Sequence, residues 1–228
     1  MTVRVIEGDC RTVLPMIGHA DVVITDPIWP NCPPGMFAMT DRPEHLFAEA
    51  LTLLPADVQR IVVVLRTDSD VRFLAAVPRR WPFFDCYWLP YVLPRYSGRK
   101  LGGNEIAYAF GAPVTWRPDC RVIPNIAPKA QSTEKNGHPC PRALAHMAFL
   151  VKWWSSQGET ILDPFAGSGT IGLAAKHLGR DAVLIEIDSA YCEIARARLA
   201  ADAPLLAFGD AKRPERTDLS APSREVSP

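Results

Sequence analysis

Two short segments of this 228-residue chain combine residue types that could do chemistry. In Ile161-Leu162-Asp163-Pro164-Phe165-Ala166-Gly167-Ser168-Gly169-Thr170 an apolar run leads into an acid, a glycine-rich turn and a helical pattern. This is the layout of a strand, turn and helix around a nucleotide. Gly167 and Gly169 remove side chains where backbone must approach a ligand, and the first N–H groups of the helix face its polar end. Glu186, 23 positions after Asp163, closes the next apolar run, near the ~20-residue spacing at which an acid meets a ribose diol. The turn has neither GxGxxG nor GxxxxGK[ST], so a nucleoside cofactor without pyrophosphate fits better than a dinucleotide or a triphosphate, and S-adenosylmethionine meets that description. In the second segment, Thr25-Asp26-Pro27-Ile28-Trp29-Pro30, an apolar run ends on an acid, a rigid proline and a large aromatic.

The elements that must position these turns are legible as alternating patterns. The runs VRVIEG (3–8), DVVITDP (21–27), RIVVVLRT (60–67), ETILDP (159–164) and AVLIEID (182–188) are apolar on both faces, as buried parallel strands are. Helical patterns lie between them at 43–54, at 170–179 with Gly179 as a stop, and at 189–202 with Ser189 as N-cap. Strands alternating with helices predict a doubly wound, Rossmann-like α/β sheet. Residues 82–111, two aromatic-rich runs around the turn SGRKLGG, predict a β-hairpin at the sheet edge. Residues 111–137, rich in Pro, Asn, Lys and Thr, read as an irregular insert, and 211–228 as a disordered charged tail after a single domain over 1–210.

Composition bounds the rest. Apolar residues make up 48% and charged residues 22%, ordinary globular proportions. Lys plus Arg, 25, balance Asp plus Glu, 25, which excludes a uniformly basic nucleic-acid-coating protein. The balance is uneven: residues 86–142 hold eight basic side chains, among them Arg95, Arg99 and Lys100, against three acidic ones. Tyr87, Trp88, Tyr91 and Tyr96 are interleaved with them, a pattern suited to phosphate contacts and base stacking. The six cysteines form no CxxC and no zinc-ligand spacing, so no metal is expected and the thiols read as reduced, in the cytoplasm. No apolar run reaches the ~18 residues of a membrane span.

Together, the Asp-Pro-Ile-Trp and Asp-Pro-Phe-Ala-Gly-Ser-Gly-Thr segments resemble the amino-group DNA methyltransferases, whose catalytic signature is [D/N/S]-P-P-[Y/W/F]. The resemblance implies a mixed seven-stranded sheet, S-adenosylmethionine as cofactor and double-stranded DNA as partner. An exocyclic amine delocalises its lone pair into the ring and is a poor nucleophile. In the family the acid and the proline carbonyl accept its two N–H bonds while the aromatic stacks on the extruded base, roles that fall on Asp26, Pro27 and Trp29. Ile28 stands where the family has a second proline. The catalytic turn precedes the cofactor turn, as in the circularly permuted, β-type group, whose H-P-T-Q-K-P-L stretch is matched loosely by His138-Pro139-Cys140-Pro141-Arg142-Ala143-Leu144. His138, Arg142 and Phe165 are therefore cofactor candidates by resemblance, as is Asp9 of Glu7-Gly8-Asp9-Cys10, preferred over Asp210. The likeness covers residues 2–202 in scattered blocks. It implies methyl transfer to adenine N6, since Asp in the first signature position favours adenine. The alternatives are cytosine N4, an RNA or protein amide, and a degenerate cofactor- or DNA-binding module. The short insert leaves little to read a groove, so a homodimer is expected.

Overall fold

The structure, a computed structural model, describes residues 2–33, 35–37, 41–92, 95–97, 100–102, 104–114, 123–130 and 137–201. Its centre is a seven-stranded sheet of β1 (Val3–Glu7), β2 (Val22–Thr25), β3 (Arg60–Arg66), β4 (Phe83–Leu89), β7 (Glu105–Gly111), β8 (Thr160–Asp163) and β9 (Asp181–Glu186). The spatial order is β1-β9-β8-β2-β3-β7-β4. The first five are mutually parallel, and β7 runs antiparallel to both of its neighbours. A separate two-stranded ribbon pairs β5 (Arg95–Ser97) with β6 (Lys100–Gly102) at the tip of the expected hairpin.

The period of two along each strand divides the core into two faces. Val62 and Val64 of β3, Val22 and Ile24 of β2 and Leu184 of β9 pack on one face with α3 (Leu144–Trp154) and α4 (Thr170–His177). Ile61, Val63 and Leu65 of β3, Val23 of β2 and Val183 of β9 pack on the other, with α1 (Cys10–Val13) and α2 (Pro43–Thr52). These strands carry no polar alternation because both faces are covered.

The hairpin expectation holds with one addition: β7 lies inside the sheet between β3 and β4, so only β4 forms the edge. Part of that edge is met by the insert, where Trp88 and Tyr91 bridge Ile126 and Ala130. The last helix, α5 (Ser189–Ala200), is capped one residue earlier than expected. The Asp188 side chain accepts from the Ala190 and Tyr191 N–H groups, and a carboxylate placed there also faces the positive end of the helix dipole. Met147, Ala148, Leu150 and Val151 of α3 are buried. The tail 211–228 lies outside the described residues, as do Asp210 and most of the insert.

The chain passes from β8 through α4 to β9 on one side and from β2 through α2 to β3 on the other. Adjacent β8 and β2 thus flank the point where the winding reverses, and ligands of open α/β sheets bind outside the carboxyl ends of the strands there.

Candidate active site

Both sequence-derived turns emerge at that point. Thr25 ends β2 and Asp163 ends β8, and the Thr25 hydroxyl donates to Asp163 Oδ1 at 2.8 Å, tying the two turns together. The same Asp163 oxygen accepts the Phe165 N–H at 3.1 Å, which bends the chain into the glycine turn. Burial pushes the Asp163 carboxyl up to about 7, against the pull of these two donors.

Gly167 and Gly169 adopt left-handed backbone, with φ of +51° and +75°, where a side chain would be strained. A Cβ on Gly167 would come within 3.0 Å of His138 Nε2, so glycine here lets the His138 ring close over the turn. Gly169 differs from its expected role. It begins α4 outside the cavity wall, and its missing side chain makes room for Ala195 of α5, 2.8 Å from where a Cβ would stand. Glu186, at the end of β9, accepts the Gly167 N–H at 2.7 Å through one oxygen and the Asp188 N–H at 2.9 Å through the other. Each oxygen keeps a further lone pair for a hydroxyl donor. Burial raises the Glu186 pKa, against the pull of the Asp188 and Gly167 N–H donors.

A cavity of about 640 Å³ joins the two turns. Asp163, Phe165, Gly167 and Glu186 line one side of it, Asp26, Pro27 and Trp29 another, and Asp9, His138 and Arg142 complete the wall. The structure therefore brings together every catalytic and cofactor candidate except Gly169. Asp9 caps α1 and is held by its neighbour: Arg11 donates through Nε at 3.0 Å and Nη2 at 2.6 Å, which lowers the Asp9 pKa. His138 stacks on Phe37 and meets Tyr191 edge-on, its Nδ1 accepting from the Cys140 N–H at 3.1 Å. Burial, with the Arg142 charge, pushes its pKa down to about 4, so the ring is neutral at pH 7.

Arg142, expected at the cofactor, makes its contacts on the catalytic side. Its Nε donates to Asp26 Oδ2, its Nη1 lies 3.1 Å from Glu105 Oε1, and its guanidinium sits 4.2 Å from the Trp29 ring centre. Asp26 Oδ1 is buried with no hydrogen-bond partner among the described residues, and burial raises the Asp26 pKa against the Arg142 charge. The Trp29 ring is pinned by its own N–H, which donates to the Val64 carbonyl at 3.0 Å. Ile28 packs against the apolar face of β3 and α2, filling with aliphatic contact the place of the family's second proline.

The sequence pointed to no site role for Thr25 or Glu105, and Tyr91, expected among the stacking aromatics, instead bonds Glu105 through its hydroxyl. Glu105 carried a signal, a lone acid opening the otherwise apolar run Ile106-Ala107-Tyr108-Ala109-Phe110. Arg95 and Lys100 fall on β5 and β6 of the ribbon, and Arg99 lies outside the described residues.

A parallel sheet with one antiparallel strand, an acid-proline-aromatic turn and a glycine turn at its reversal point define an amino-group methyltransferase architecture. The chain belongs to the N6/N4 family of DNA methylases, whose model matches residues 25–197. Among individual proteins it is similar to the Type II methyltransferase M.ScaI of Streptomyces caespitosus, 42% identical over 114 residues, or 49% of this chain and 36% of that protein. It is also similar to the Type II methyltransferase M.HpaI of Haemophilus parainfluenzae, 39% identical over 62 residues, or 27% of this chain and 20% of that one. The chain thus spans about a third or less of the curated relatives it matches. The crystal structure of an M1.HpyAVI-SAM complex shares the fold with a TM-score of 0.68 and 22% identity over 87% of this chain and 99% of that one. The PvuII cytosine-N4-specific DNA methyltransferase does so with a TM-score of 0.64 and 15% identity over 87% and 86%.

Proposed function

We propose that this chain transfers a methyl group from S-adenosylmethionine to an exocyclic amino group of double-stranded DNA, adenine N6 in the first place. The observation that carries the reading is the buried Oδ1 of Asp26, which has no hydrogen-bond partner among the described residues and lies beside Trp29 at the end of β2, next to the β8 turn of Asp163 and Gly167 and followed by Glu186 on β9. A dry acceptor without a donor is costly unless a ligand supplies one, and an amine N–H is such a donor.

The family depends on S-adenosylmethionine, and the cradle fits it. The glycine turn leaves backbone exposed, Glu186 keeps lone pairs for a ribose diol, and Asp9, just past the end of the neighbouring strand β1, offers a further carboxylate. Asp163 and Phe165 would hold the turn in shape, and His138 would close over it. When bound, the cofactor supplies a methyl group on a sulfonium sulfur. Asp26 Oδ1 and the Pro27 carbonyl accept the two amine N–H bonds, so that the nitrogen lone pair leaves the ring and points toward the cofactor side. Trp29 stacks on the extruded base, and positioning with two hydrogen bonds is the whole of the protein's contribution.

Asp at position 26 favours adenine. The cytosine-N4 reading is kept because the PvuII enzyme shares this fold. The turn order, with β1 pairing β9 at one end of the parallel run, supports the permuted, β-type grouping. Arg95, Arg99 and Lys100 are assigned to DNA phosphates. Each strand of their ribbon is only three residues long, so a second copy of the chain would double the footprint, and a homodimer is part of the proposal. Light scattering that gave a fully active particle of 25.2 kDa would refute the dimer. One catalytic domain over 1–210 and action in the cytoplasm complete the reading.

The test is methyl transfer from labelled cofactor to unmethylated duplex DNA, followed by digestion and mass spectrometry of the nucleosides. N6-methyladenine is expected. N4-methylcytosine would overturn the adenine assignment, methylated RNA or protein with unmodified DNA would overturn the substrate, and cofactor binding without turnover would mark a degenerate module.

A further inference from the structure

Glu105 has no part in the reaction as drawn above, yet it is a carboxylate with a side chain only 6% exposed at the catalytic edge. Topology puts it there. The parallel strands present their carboxyl ends to the site, and antiparallel β7 presents its first residue to the same edge, with Glu105 paired across β3 to Arg66. Its two oxygens each lie 3.2 Å from the Tyr91 hydroxyl, which donates to the carboxylate, and Oε1 lies 3.1 Å from Arg142 Nη1. Arg142 therefore bridges two carboxylates, Glu105 by one terminal nitrogen and Asp26 by Nε.

A guanidinium facing a single carboxylate prefers a two-pronged contact with both oxygens. With Glu105 holding its far end, Arg142 reaches only Oδ2 of Asp26, and Oδ1 stays without a partner among the described residues. We propose that Glu105, braced by Tyr91, is a positioning residue for the methyl transfer: it anchors Arg142 so that one oxygen of Asp26 is left for the target amine. This rests on the function proposed above.

The charged and titratable groups around Glu105 are Asp26 and Arg142 from the two loops, Arg66 from β3, and Tyr91, whose ring meets that of His146. Glu105→Gln keeps the volume and removes the charge. Arg142 is then free to close on both oxygens of Asp26, and turnover should fall about tenfold or more while cofactor and DNA affinities stay within about twofold. Loss of a neighbouring anion also makes Asp26 a stronger acid, so the acid limb of kcat should move to lower pH. A packing role alone would lower turnover and leave that limb in place. An unmoved limb, or wild-type turnover, overturns the proposal.

Carbon-13 NMR of the Asp26 carboxyl in the DNA-free protein reads the same coupling without turnover, and Glu105→Gln should lower its midpoint by about one pH unit. If the wild-type chain methylates nothing, the proposed function fails and this titration still decides the network, since an unmoved midpoint refutes it. Should Glu105→Gln fail to fold, Tyr91→Phe takes its place. Without the hydroxyl Glu105 becomes a weaker acid, so turnover should drop at pH 7 and return toward wild type near pH 9, whereas a pH-independent loss overturns the assignment.

Discussion

Replacing Asp26 by alanine removes both carboxylate oxygens, and the structure separates what each does. Oδ2 is bound by Arg142, which keeps Glu105 as a second partner, so the deletion does not orphan the buried cation. Because burial already disfavours the Asp26 charge, the melting temperature should hold or rise. Oδ1 is the free acceptor. Toward a planar ground-state amine it makes an ordinary hydrogen bond, worth about 1 kcal/mol. As the nitrogen pyramidalises and takes on positive charge, the contact strengthens, because donor and acceptor now carry opposite charge. Loss of one such preorganised group costs roughly 100-fold or more in turnover, about 2.7 kcal/mol at 1.36 kcal/mol per tenfold. Single-turnover methyl transfer at saturating DNA and cofactor reads this step, and calorimetry reads cofactor affinity, which should change less than about threefold. A wild-type rate in Asp26→Ala would remove the amino-methyltransferase assignment at its centre. A loss confined to KM would mean that Asp26 binds DNA without favouring the transition state.

Glu186→Ala should weaken cofactor binding by roughly 1.5 to 3 kcal/mol, the cost of a charged hydrogen bond, and unchanged affinity in calorimetry would withdraw the ribose assignment. Neutralising Arg95, Arg99 and Lys100 together should flatten the salt dependence of DNA binding by up to about 0.9 per lost phosphate contact with cofactor affinity intact, and an unchanged slope places the DNA face elsewhere. The buried carboxyls Asp163 and Glu105, both near 7, favour folding below their unfolded values and lose that contribution as pH rises through about 7. Half-buried His138 and buried His146, pushed down to about 4, are neutral in the folded chain over this range. The ligand-free protein should therefore melt lower at pH 8.5 than at pH 6.5, by on the order of 1 kcal/mol per carboxyl, and Asp163→Asn should reduce the difference. A melting temperature that rose across that interval would contradict the burial of these groups.

Local chemistry determined much of this protein. β-branched runs apolar on both faces read as covered strands, and Gly167 with Gly169 as a turn where backbone approaches a ligand, because those constraints act within a few residues. Glu186 and Asp26 were legible in the same way, as acids ending apolar runs. The tertiary structure brought together Asp26 and Arg142, 116 positions apart, and no periodicity encodes that pairing. It set Arg142 against Asp26, packed Gly169 on Ala195, and brought Glu105 to the same edge through a strand that runs against its neighbours, where Tyr91, just beyond the end of β4, meets it. Strand direction and sheet order are set by how two hydrophobic faces are buried at once, a property of the whole chain. A residue whose role depends on the end of the sheet it reaches is therefore visible only once the sheet is built.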